Sequence, residues 1–559
     1  MPLGTILRAG IWVLALAPAV FPPAALESFF ARWEQAFRSF ARRQMVACAA
    51  VALAVLLGRA ALVVVWEIPT PFVHDEYGYL LQADTFASGR LTNPTHPMGE
   101  FFETPYIFQQ PSYNTKFPPG QGLVMALGQI IFGHPWFGVW LSCGALAAAL
   151  CWALQGWFLA EWALAGAILV LPLCVFSNWM NSYWGGAVAA IGGALVLGAV
   201  PRLRSGTVSA GAVFAFGAIV LALTRPFEGM VVVAPLAVAL LFQKLSSRQW
   251  LALVLTGLAG VAFLGYYNAR VTGNPLHMPY SEYEAQYPMT SHFNILPLPP
   301  EREYRMPGIT WVDHWERFAW IQAHGIEFFK RRVVDLGARV TTFLGSPFVL
   351  LPMSFFCAQW WMERRFRPVV LAVGLTVVIA FLEVLYFDHY AAPVLAPLLI
   401  LVVEGLRRLR QWRPAKDEVA GVWLTRTVPV GILLMTLIAP AGALLRGEPL
   451  TQTVAGGREK LEALLEQEFG PHLILVRHTD PKGIEPDWAK YPRLELAPVM
   501  VEFVHNGANI DQQYIVWAND LGDQENQRLL EYYKNRKVWL YSPEENADRM
   551  EPVVRPAGN

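Results

Sequence analysis

The sequence predicts a mainly α-helical membrane protein that crosses the bilayer many times and carries a small α/β domain at its C-terminus. Of its 559 residues, 55% are hydrophobic and only 15% are charged, whereas an ordinary soluble domain carries about 25% charged residues. Several apolar segments approach the roughly 20 residues that a helix needs to cross the hydrocarbon core. After residue 446 the long apolar runs end and charged residues become dense.

This composition excludes a disordered chain, a coiled coil and an ordinary cytosolic enzyme. Lysine plus arginine and aspartate plus glutamate both number 43, so there is no electrostatic reason to expect a nucleic-acid partner. The five cysteines lie in apolar stretches and form no CxxC pair. They therefore indicate neither a disulfide framework nor a zinc ribbon.

The chain is expected to divide into an N-terminal segment (1–44), a transmembrane domain (45–445) and a C-terminal domain (446–559). Eleven spans are predicted in the second part, at 45–66, 136–158, 162–178, 184–200, 208–223, 229–243, 250–267, 338–358, 368–386, 391–406 and 425–445. The shorter spans need polar flanks or local thinning of the bilayer.

Clusters of basic residues orient these spans. With the N-terminus in the cytoplasm, every cluster falls on the cytoplasmic side, as the positive-inside rule requires. The clusters are Arg32, Arg38, Arg42 and Arg43; Arg202 and Arg204; Lys244 and Arg248; Arg364, Arg365 and Arg367; and Arg407, Arg408, Arg410 and Arg413. Residues 9–24 are also apolar, but they are short and broken by prolines. The arginines that follow argue against a cleaved signal peptide, so we expect an interfacial or partly inserted helix.

Three regions then face the outside: the loop 67–135, the loop 268–337 and the tail 446–559. In the tail, three segments are predicted to be short buried strands: HLILVRH, QYIVWAND and KVWLYSP. Helical patterns occur at 457–468 and 523–535. No phosphate-binding glycine motif occurs there, so the tail is expected to be a lid or an acceptor-docking module and not a nucleotide site.

The first outer loop carries an acidic pair. Asp75 and Glu76 follow the first span by about nine residues and precede a predicted surface helix at 76–88. Adjacent acids at a helix start are commonly simple caps, because the helix dipole favours carboxylates there. The alternative is a carboxylate that takes a proton from an acceptor hydroxyl. The local pattern leaves both possibilities open.

Other candidates lie at the outer ends of spans. Arg225 follows the fifth span, where an arginine either snorkels to the interface or binds a phosphate with its planar fork. Glu228 is the expected salt-bridge partner of Arg225 and a weak candidate for substrate binding. His389 and Tyr390 lie between spans nine and ten, in a turn that either connects helices or faces a ligand.

Two weaker candidates complete the set. Asn181, between spans three and four, either hydrogen-bonds a sugar or belongs to an ordinary interfacial turn rich in Trp and Tyr. Arg270 opens the second outer loop and is either a phosphate ligand or a solvated charge.

The first outer loop resembles that of the GT-C glycosyltransferases, and most closely the family 39-like members, which are protein O-mannosyltransferases and lipid A aminoarabinose transferases. Asp75-Glu76 is similar to their Asp-Glu pair. The segment 116–120 (KFPPG) is similar to their Lys-Pro-Pro-type turn with one Phe inserted, and the helix after it ends at Phe132-Gly133, like their Phe-Gly end. The loop also looks like that of uncharacterised bacterial members with a His-Asp-Glu start.

This resemblance implies a GT-C-like bundle in a bacterial inner membrane, with the C-terminus in the periplasm. It implies transfer of a hexosyl or pentosyl group from a polyprenyl phosphate to a lipid, glycan or protein acceptor. The family's first-loop acid activates or positions the acceptor, which points to Asp75 with Glu76 assisting. Its lysine contacts the donor phosphate, which points to Lys116, although Phe117 departs from the pattern.

The same resemblance suggests further phosphate contacts at Arg225, where the family has a Thr-Lys-Gly turn, and at His389, with Arg270 as a weaker addition. No metal site is predicted, because His96, Glu103, His277 and His292 match no metal motif such as HExxH. A divalent metal remains possible, since the aminoarabinose transferases have a place for one near the donor phosphates.

Two other functions are open to a chain of this composition. A transporter or flippase for a lipid-linked or small polar substrate also uses many spans and boundary arginines, but it predicts paired broken helices in two related halves. The sequence shows no such symmetry. A membrane scaffold or sensor with a partner-binding tail is the third possibility, and it predicts no role for Asp75.

Overall fold

The computed structural model describes residues 3–21, 23–71, 73–343, 349–357, 363–413, 419–447, 457–478, 503–543 and 550–553. Its helices before the second outer loop are α1 (Leu3–Val20), α2 (Ala24–Ala41), α3 (Gln44–Leu62), α4 (His74–Ala87), α5 (Gly120–Phe132), α6 (Trp136–Trp157), α7 (Ala160–Leu169), α8 (Leu171–Phe176), α9 (Ala187–Arg204), α10 (Ser209–Ala222), α11 (Pro226–Leu241) and α12 (Ser247–Thr272). The helices after it are α13 (Pro279–Gln286), α14 (Pro307–Gln322), α15 (Gly325–Phe343), α16 (Leu350–Cys357), α17 (Arg367–Leu382), α18 (Leu395–Gln411), α19 (Ala420–Arg446), α20 (Gly457–Leu465) and α21 (Asp523–Tyr532).

Among the described residues, five helices are long and apolar enough to cross a membrane: α3, α6, α9, α12 and α19. They fall on the predicted spans 45–66, 136–158, 184–200, 250–267 and 425–445. Shorter apolar helices fall on four more predicted spans, at 160–176, 209–222, 226–241 and 367–382. The predicted eighth span, 338–358, includes residues outside the described part of the chain. The chain is thus a multi-pass membrane protein, and the number of eleven spans stays a prediction.

Small residues bring the membrane helices close together. Gly192 of α9 and Gly217 of α10 face each other, and a Cβ on either would lie within 3.0 Å of the other's carbonyl oxygen. Where lipid replaces water, helices associate through such close backbone packing. Residues 3–20 form one helix that packs on α19, and the Thr427 hydroxyl donates to the Ala15 carbonyl at 2.6 Å.

A buried arginine connects the first membrane helix to the outer loop. Arg59 of α3 is 1% exposed and donates to the carbonyls of Trp66 and Glu67, both at 3.0 Å, and to Asn181 Oδ1 at 3.0 Å. Its guanidinium also lies 5.0 Å from the centre of the Trp136 ring. These contacts fix the path of the chain as it leaves the membrane and enters the loop that carries Asp75.

The tail forms a four-stranded sheet in the order β4-β3-β5-β6. Its strands are β3 (His472–Val476), β4 (Ile515–Asn519), β5 (Lys537–Tyr541) and β6 (Met550–Pro552), and a short hairpin in the first loop supplies β1 (Ile107–Phe108) and β2 (Asn114–Thr115). The strand β3 is parallel to β4 and β5, and β6 is antiparallel to β5. All five residues of β3 are buried, as expected for a central parallel strand.

The sheet packs directly on the first outer loop. Leu81, Phe101 and Ile107 of that loop share one hydrophobic cluster with strand residues such as Leu473 and Val516. Hydrogen bonds join the same surfaces: Ala508 N donates to Asp84 Oδ2 at 2.7 Å, and the Tyr113 hydroxyl donates to the Asn506 carbonyl at 2.9 Å. The tail therefore covers the loop that contains α4.

Candidate functional site

The acidic pair begins α4, and its two members have different surroundings. Glu76 is buried, and its carboxylate accepts from Val73 N at 3.1 Å and from Tyr183 N at 2.9 Å. These bonds hold the start of α4 against the turn after α8, so Glu76 positions the helix that carries Asp75. Asp75 is half-buried, and its carboxyl forms no hydrogen bond or ion pair with another described side chain.

Close packing brings the Lys116 segment against α4. A Cβ on Gly78 would lie 2.6 Å from Thr115 Oγ1 and 2.9 Å from the Phe117 ring, so only glycine fits there. One turn further along, Gln82 Nε2 donates to the Phe117 carbonyl at 2.7 Å. The inserted Phe117, which departs from the family pattern, therefore has a structural place, since its ring also stacks on Tyr79 with centroids 4.6 Å apart.

The Lys116 ammonium lies in an aromatic cage. Its Nζ is 3.6 Å from the centre of the Tyr106 ring, 5.1 Å from that of Tyr280 and 5.2 Å from that of Tyr283. Only 9% of the residue is exposed, and the ammonium makes no hydrogen bond or ion pair with a described residue. Cation–π contacts stabilise the charge without using its donors, so its N–H groups stay available to a ligand.

A second close contact joins the Lys116 turn to Arg225. Gly120 N donates to the Leu223 carbonyl at 2.6 Å, two residues before Arg225. The Arg225 guanidinium lies 4.4 Å from the centre of the Tyr390 ring and 3.8 Å from a Glu228 oxygen. The expected partnership of Arg225 with Glu228 is thus present, and Tyr390 covers one face of the cation.

Electrostatics place Asp75 among these groups. Burial raises the pKa of Asp75, and the positive charges of Lys116 and then Arg225 oppose that rise. Burial lowers the pKa of Lys116, opposed first by Glu316 and then by Asp75. The Asp75 carboxylate, which has no hydrogen-bond or ion-pair partner among the described side chains, is therefore close enough to Lys116 and Arg225 for their charges to lower its pKa. The two cations come from separate parts of the chain. Such a set can accept a proton from a neutral nucleophile and hold an anionic leaving group.

His389 is buried beside the same set. It stacks parallel to Phe387 with centroids 5.8 Å apart, and its ring lies 5.4 Å from Trp184. Burial and then the charge of Arg225 lower the pKa of His389 well below its ordinary value. It therefore contributes a neutral imidazole, which can donate a hydrogen bond to phosphate but adds no positive charge.

Two predicted ligands have other surroundings. Arg270 is exposed in the last turn of α12, and no described contact joins it to Asp75, Lys116 or Arg225. Asn181 is 4% exposed; its oxygen accepts from Arg59, and its Nδ2 donates to the carbonyls of Val175 and Ser177. The amide of Asn181 thus makes three hydrogen bonds within the protein, and the sugar contact stays a prediction.

The histidines considered for a metal each have a different carboxylate partner. His96 Nε2 is 3.0 Å from Asp511 in the tail, His277 is 3.0 Å from Glu282, and His292 is 3.0 Å from Glu284. In the described ranges, no group of three or more His, Cys, Asp or Glu side chains is placed to hold a metal ion.

The sequence did not predict two residues of this site, Tyr106 and Glu316. Both lie in the outer loops among many other polar and aromatic residues, with no motif around them. The Tyr106 hydroxyl donates to Glu316 Oε1 at 3.2 Å, which joins the first outer loop to α14 of the second. The single local signal was the density of tyrosines in residues 280–287 of the second loop.

No protein-family model matches the chain, and a search of curated proteins finds no match. Among solved structures, it is similar to ArnT from Cupriavidus metallidurans bound to undecaprenyl phosphate, with 14% identity over 88% of this chain and 92% of that chain and a TM-score of 0.48. The apo form of the same protein has 15% identity over 88% and 93% and a TM-score of 0.46. The apo oligosaccharyltransferase of Archaeoglobus fulgidus has 11% identity over 82% and 60% and a TM-score of 0.45.

Both neighbours belong to the GT-C superfamily, which the first outer loop resembles. The chain is similar in structure to these GT-C proteins.

Proposed function

We propose that the chain is a membrane glycosyltransferase that moves a sugar from a polyprenyl-phosphate donor to an acceptor at the periplasmic face of the inner membrane. The observation that carries this proposal is the position of Asp75, an uncommitted carboxylate within electrostatic reach of Lys116 and Arg225. A plain helix cap does not require two cations from separate parts of the chain.

In the proposed reaction, Asp75 accepts the proton of an acceptor hydroxyl. The acceptor oxygen forms a bond to the anomeric carbon of the donor as the bond from that carbon to the phosphate oxygen breaks. The electron pair remains on the phosphate, which leaves as polyprenyl phosphate, and direct attack inverts the anomeric centre. Lys116 and Arg225 hold the developing negative charge, and their proposed roles need no metal.

The surrounding residues have supporting roles in this proposal. Glu76 holds the helix that presents Asp75, because both of its carboxylate oxygens accept backbone N–H groups. Tyr390 and Glu228 hold Arg225 in place. His389 offers a neutral N–H beside the phosphate, and the apolar surfaces of the membrane helices take the polyprenyl chain.

The test is a transfer assay with purified protein, a panel of radiolabelled polyprenyl-phosphate sugars, and membrane lipid and protein extracts as acceptors. Asp75→Asn keeps the shape of the side chain and removes the base, so the rate is expected to fall by about 10²- to 10⁴-fold. Asp335→Asn is the matched control, because Asp335 is an exposed aspartate on α15. Transfer that is equal in wild type and Asp75→Asn would remove Asp75 from the chemistry.

The same preparation distinguishes the transferase from a flippase. Wild-type protein in liposomes is given a labelled donor on one side only. Intact donor that crosses the bilayer, with no transfer from any member of the panel, would overturn the proposal and favour the flippase.

A further inference from the structure

Tyr106 has an unusual backbone conformation. Its φ is +67°, and it is the only non-glycine residue with positive φ in the described part of the chain. A bulky side chain rarely adopts this region, and such a conformation persists only where the surroundings impose it. Here Tyr106 N donates to the Tyr283 hydroxyl at 2.9 Å, and the Tyr106 carbonyl accepts from Lys116 N at 3.0 Å and from Thr115 Oγ1 at 2.9 Å.

This conformation directs the Tyr106 side chain between two opposite charges. The face of its ring lies 3.6 Å from Lys116 Nζ, and its hydroxyl donates to Glu316 Oε1 at 3.2 Å. The face of the ring thus contacts the Lys116 ammonium, and the hydroxyl holds the Glu316 carboxylate.

Lys116 and Glu316 attract each other but do not pair. Burial raises the pKa of Glu316, and Lys116 is the first charge that opposes the rise; Glu316 in turn is the first charge that opposes the lowered pKa of Lys116. No ion pair between the two occurs in the described structure. An ion pair would occupy the ammonium that, in the function proposed above, binds the donor phosphate.

We propose that Tyr106 is a positioning residue that holds Glu316 away from Lys116, so that the ammonium stays free for the phosphate of the donor. This inference rests on the proposed function, because it assumes that Lys116 binds phosphate. The strained backbone at Tyr106 then has a definite role, because it places the ring against Lys116 and the hydroxyl against Glu316 at the same time.

Tyr106→Phe tests this directly, because it keeps the ring and removes only the hydroxyl that holds Glu316. The freed carboxylate pairs with Lys116 and competes with the phosphate. We expect binding to weaken by about tenfold, the factor that a hydrogen bond to a charged group represents. Glu316→Gln alone removes the competing charge and is expected to bind the phosphate at least as tightly as wild type does.

The experiment is a double-mutant cycle on the full chain in detergent, with undecaprenyl phosphate, the ligand of one similar structure, as the probe. Binding is followed by tryptophan fluorescence for wild type, Tyr106→Phe, Glu316→Gln, the double variant and Lys116→Met. The proposal requires that Glu316→Gln strengthen binding about tenfold more in the Tyr106→Phe background than in wild type, because the two residues act through one contact.

The outcomes separate this inference from the function on which it rests. If Lys116→Met binds as tightly as wild type, Lys116 does not bind the phosphate and this inference fails, whereas the transferase itself is judged by the transfer assay described above. If Lys116→Met weakens binding and Tyr106→Phe does not, the inference alone is overturned. An equal gain from Glu316→Gln in both backgrounds also overturns it, because Tyr106 would then act only through the fold.

Discussion

Replacement of Gly120 by alanine tests how the Lys116 turn and the Arg225 turn are held together. Gly120 begins α5 at the point where the Lys116 turn meets Leu223 and Thr224. A Cβ at this position would lie 2.6 Å from Thr224 Cγ2 and 2.7 Å from the Leu223 carbonyl oxygen. The carbonyl is backbone and cannot rotate away, so the two segments must move apart.

The displacement follows from these distances. Ordinary van der Waals contact begins at 3.4 Å, so the contact at 2.7 Å requires a separation of about 0.7 Å. Lys116 and Arg225 lie on the two sides of this contact. Since a misplacement of about 1 Å can cost about 10²-fold in rate, we expect transfer to fall by about 10- to 100-fold, or about 1.4–2.7 kcal/mol of activation free energy.

The free energy of unfolding is expected to fall by about 1–3 kcal/mol, the usual cost of overpacking a close contact, because two smaller effects nearly cancel. The lost hydrogen bond from Gly120 N to Leu223 costs about 0.5–1.5 kcal/mol, and alanine recovers up to about 1 kcal/mol of helix propensity. The assay compares initial rates of label transfer and melting temperatures for wild type, Gly120→Ala and Gly257→Ala. Gly257 is the matched control, because nothing lies within 4 Å of a Cβ there. A Gly120→Ala enzyme that keeps more than about a third of the wild-type rate, well above the range expected from that displacement, would refute this reasoning.

Three further predictions concern the charges. Transfer by wild type should rise with pH along an acid limb that lies above the ordinary carboxyl range, because burial raises the pKa of Asp75 and the base acts when deprotonated. Lys116→Met should move that limb to higher pH in single-turnover pH–rate profiles, since Lys116 lowers the pKa of Asp75. A limb that stays at the wild-type pH would contradict the role of Asp75 as the base. Arg59→Met should lower stability by about 3 kcal/mol or more in thermal unfolding, because it leaves Asn181 Oδ1 and two carbonyls without their donor. Arg270→Met should change neither the melting temperature nor the affinity for undecaprenyl phosphate, and a loss of affinity would restore Arg270 as a phosphate ligand.

Features that depend on local pattern were predictable from the sequence. The helix expected at 76–88 is observed as His74–Ala87, and the three strands expected in the tail are present as β3, β4 and β5. Hydropathy and turn residues act over short stretches of chain, so they indicate such elements without knowledge of their neighbours.

Contacts between distant segments were not predictable in this way. Arg270 and Arg225 are both arginines near the outer ends of helices, yet Arg270 is exposed and Arg225 lies beside Tyr390. Asn181 accepts a hydrogen bond from Arg59, which is 122 residues away in the chain, and no local pattern indicates this partner. The difference lies in the paths of the outer loops, which hydropathy does not encode.

The sequence by itself determined that this chain is a helical membrane protein and that an Asp-Glu pair opens its first outer loop, because segment hydropathy and residue order are local properties. Only the tertiary structure decided that Asp75 is uncommitted whereas Glu76 is bonded to two backbone amides. It also decided that Tyr106 contacts both Lys116 and Glu316. The physical reason is that the reactivity of a charged group depends on the partners and the burial it receives, and here both come from segments far apart in the chain.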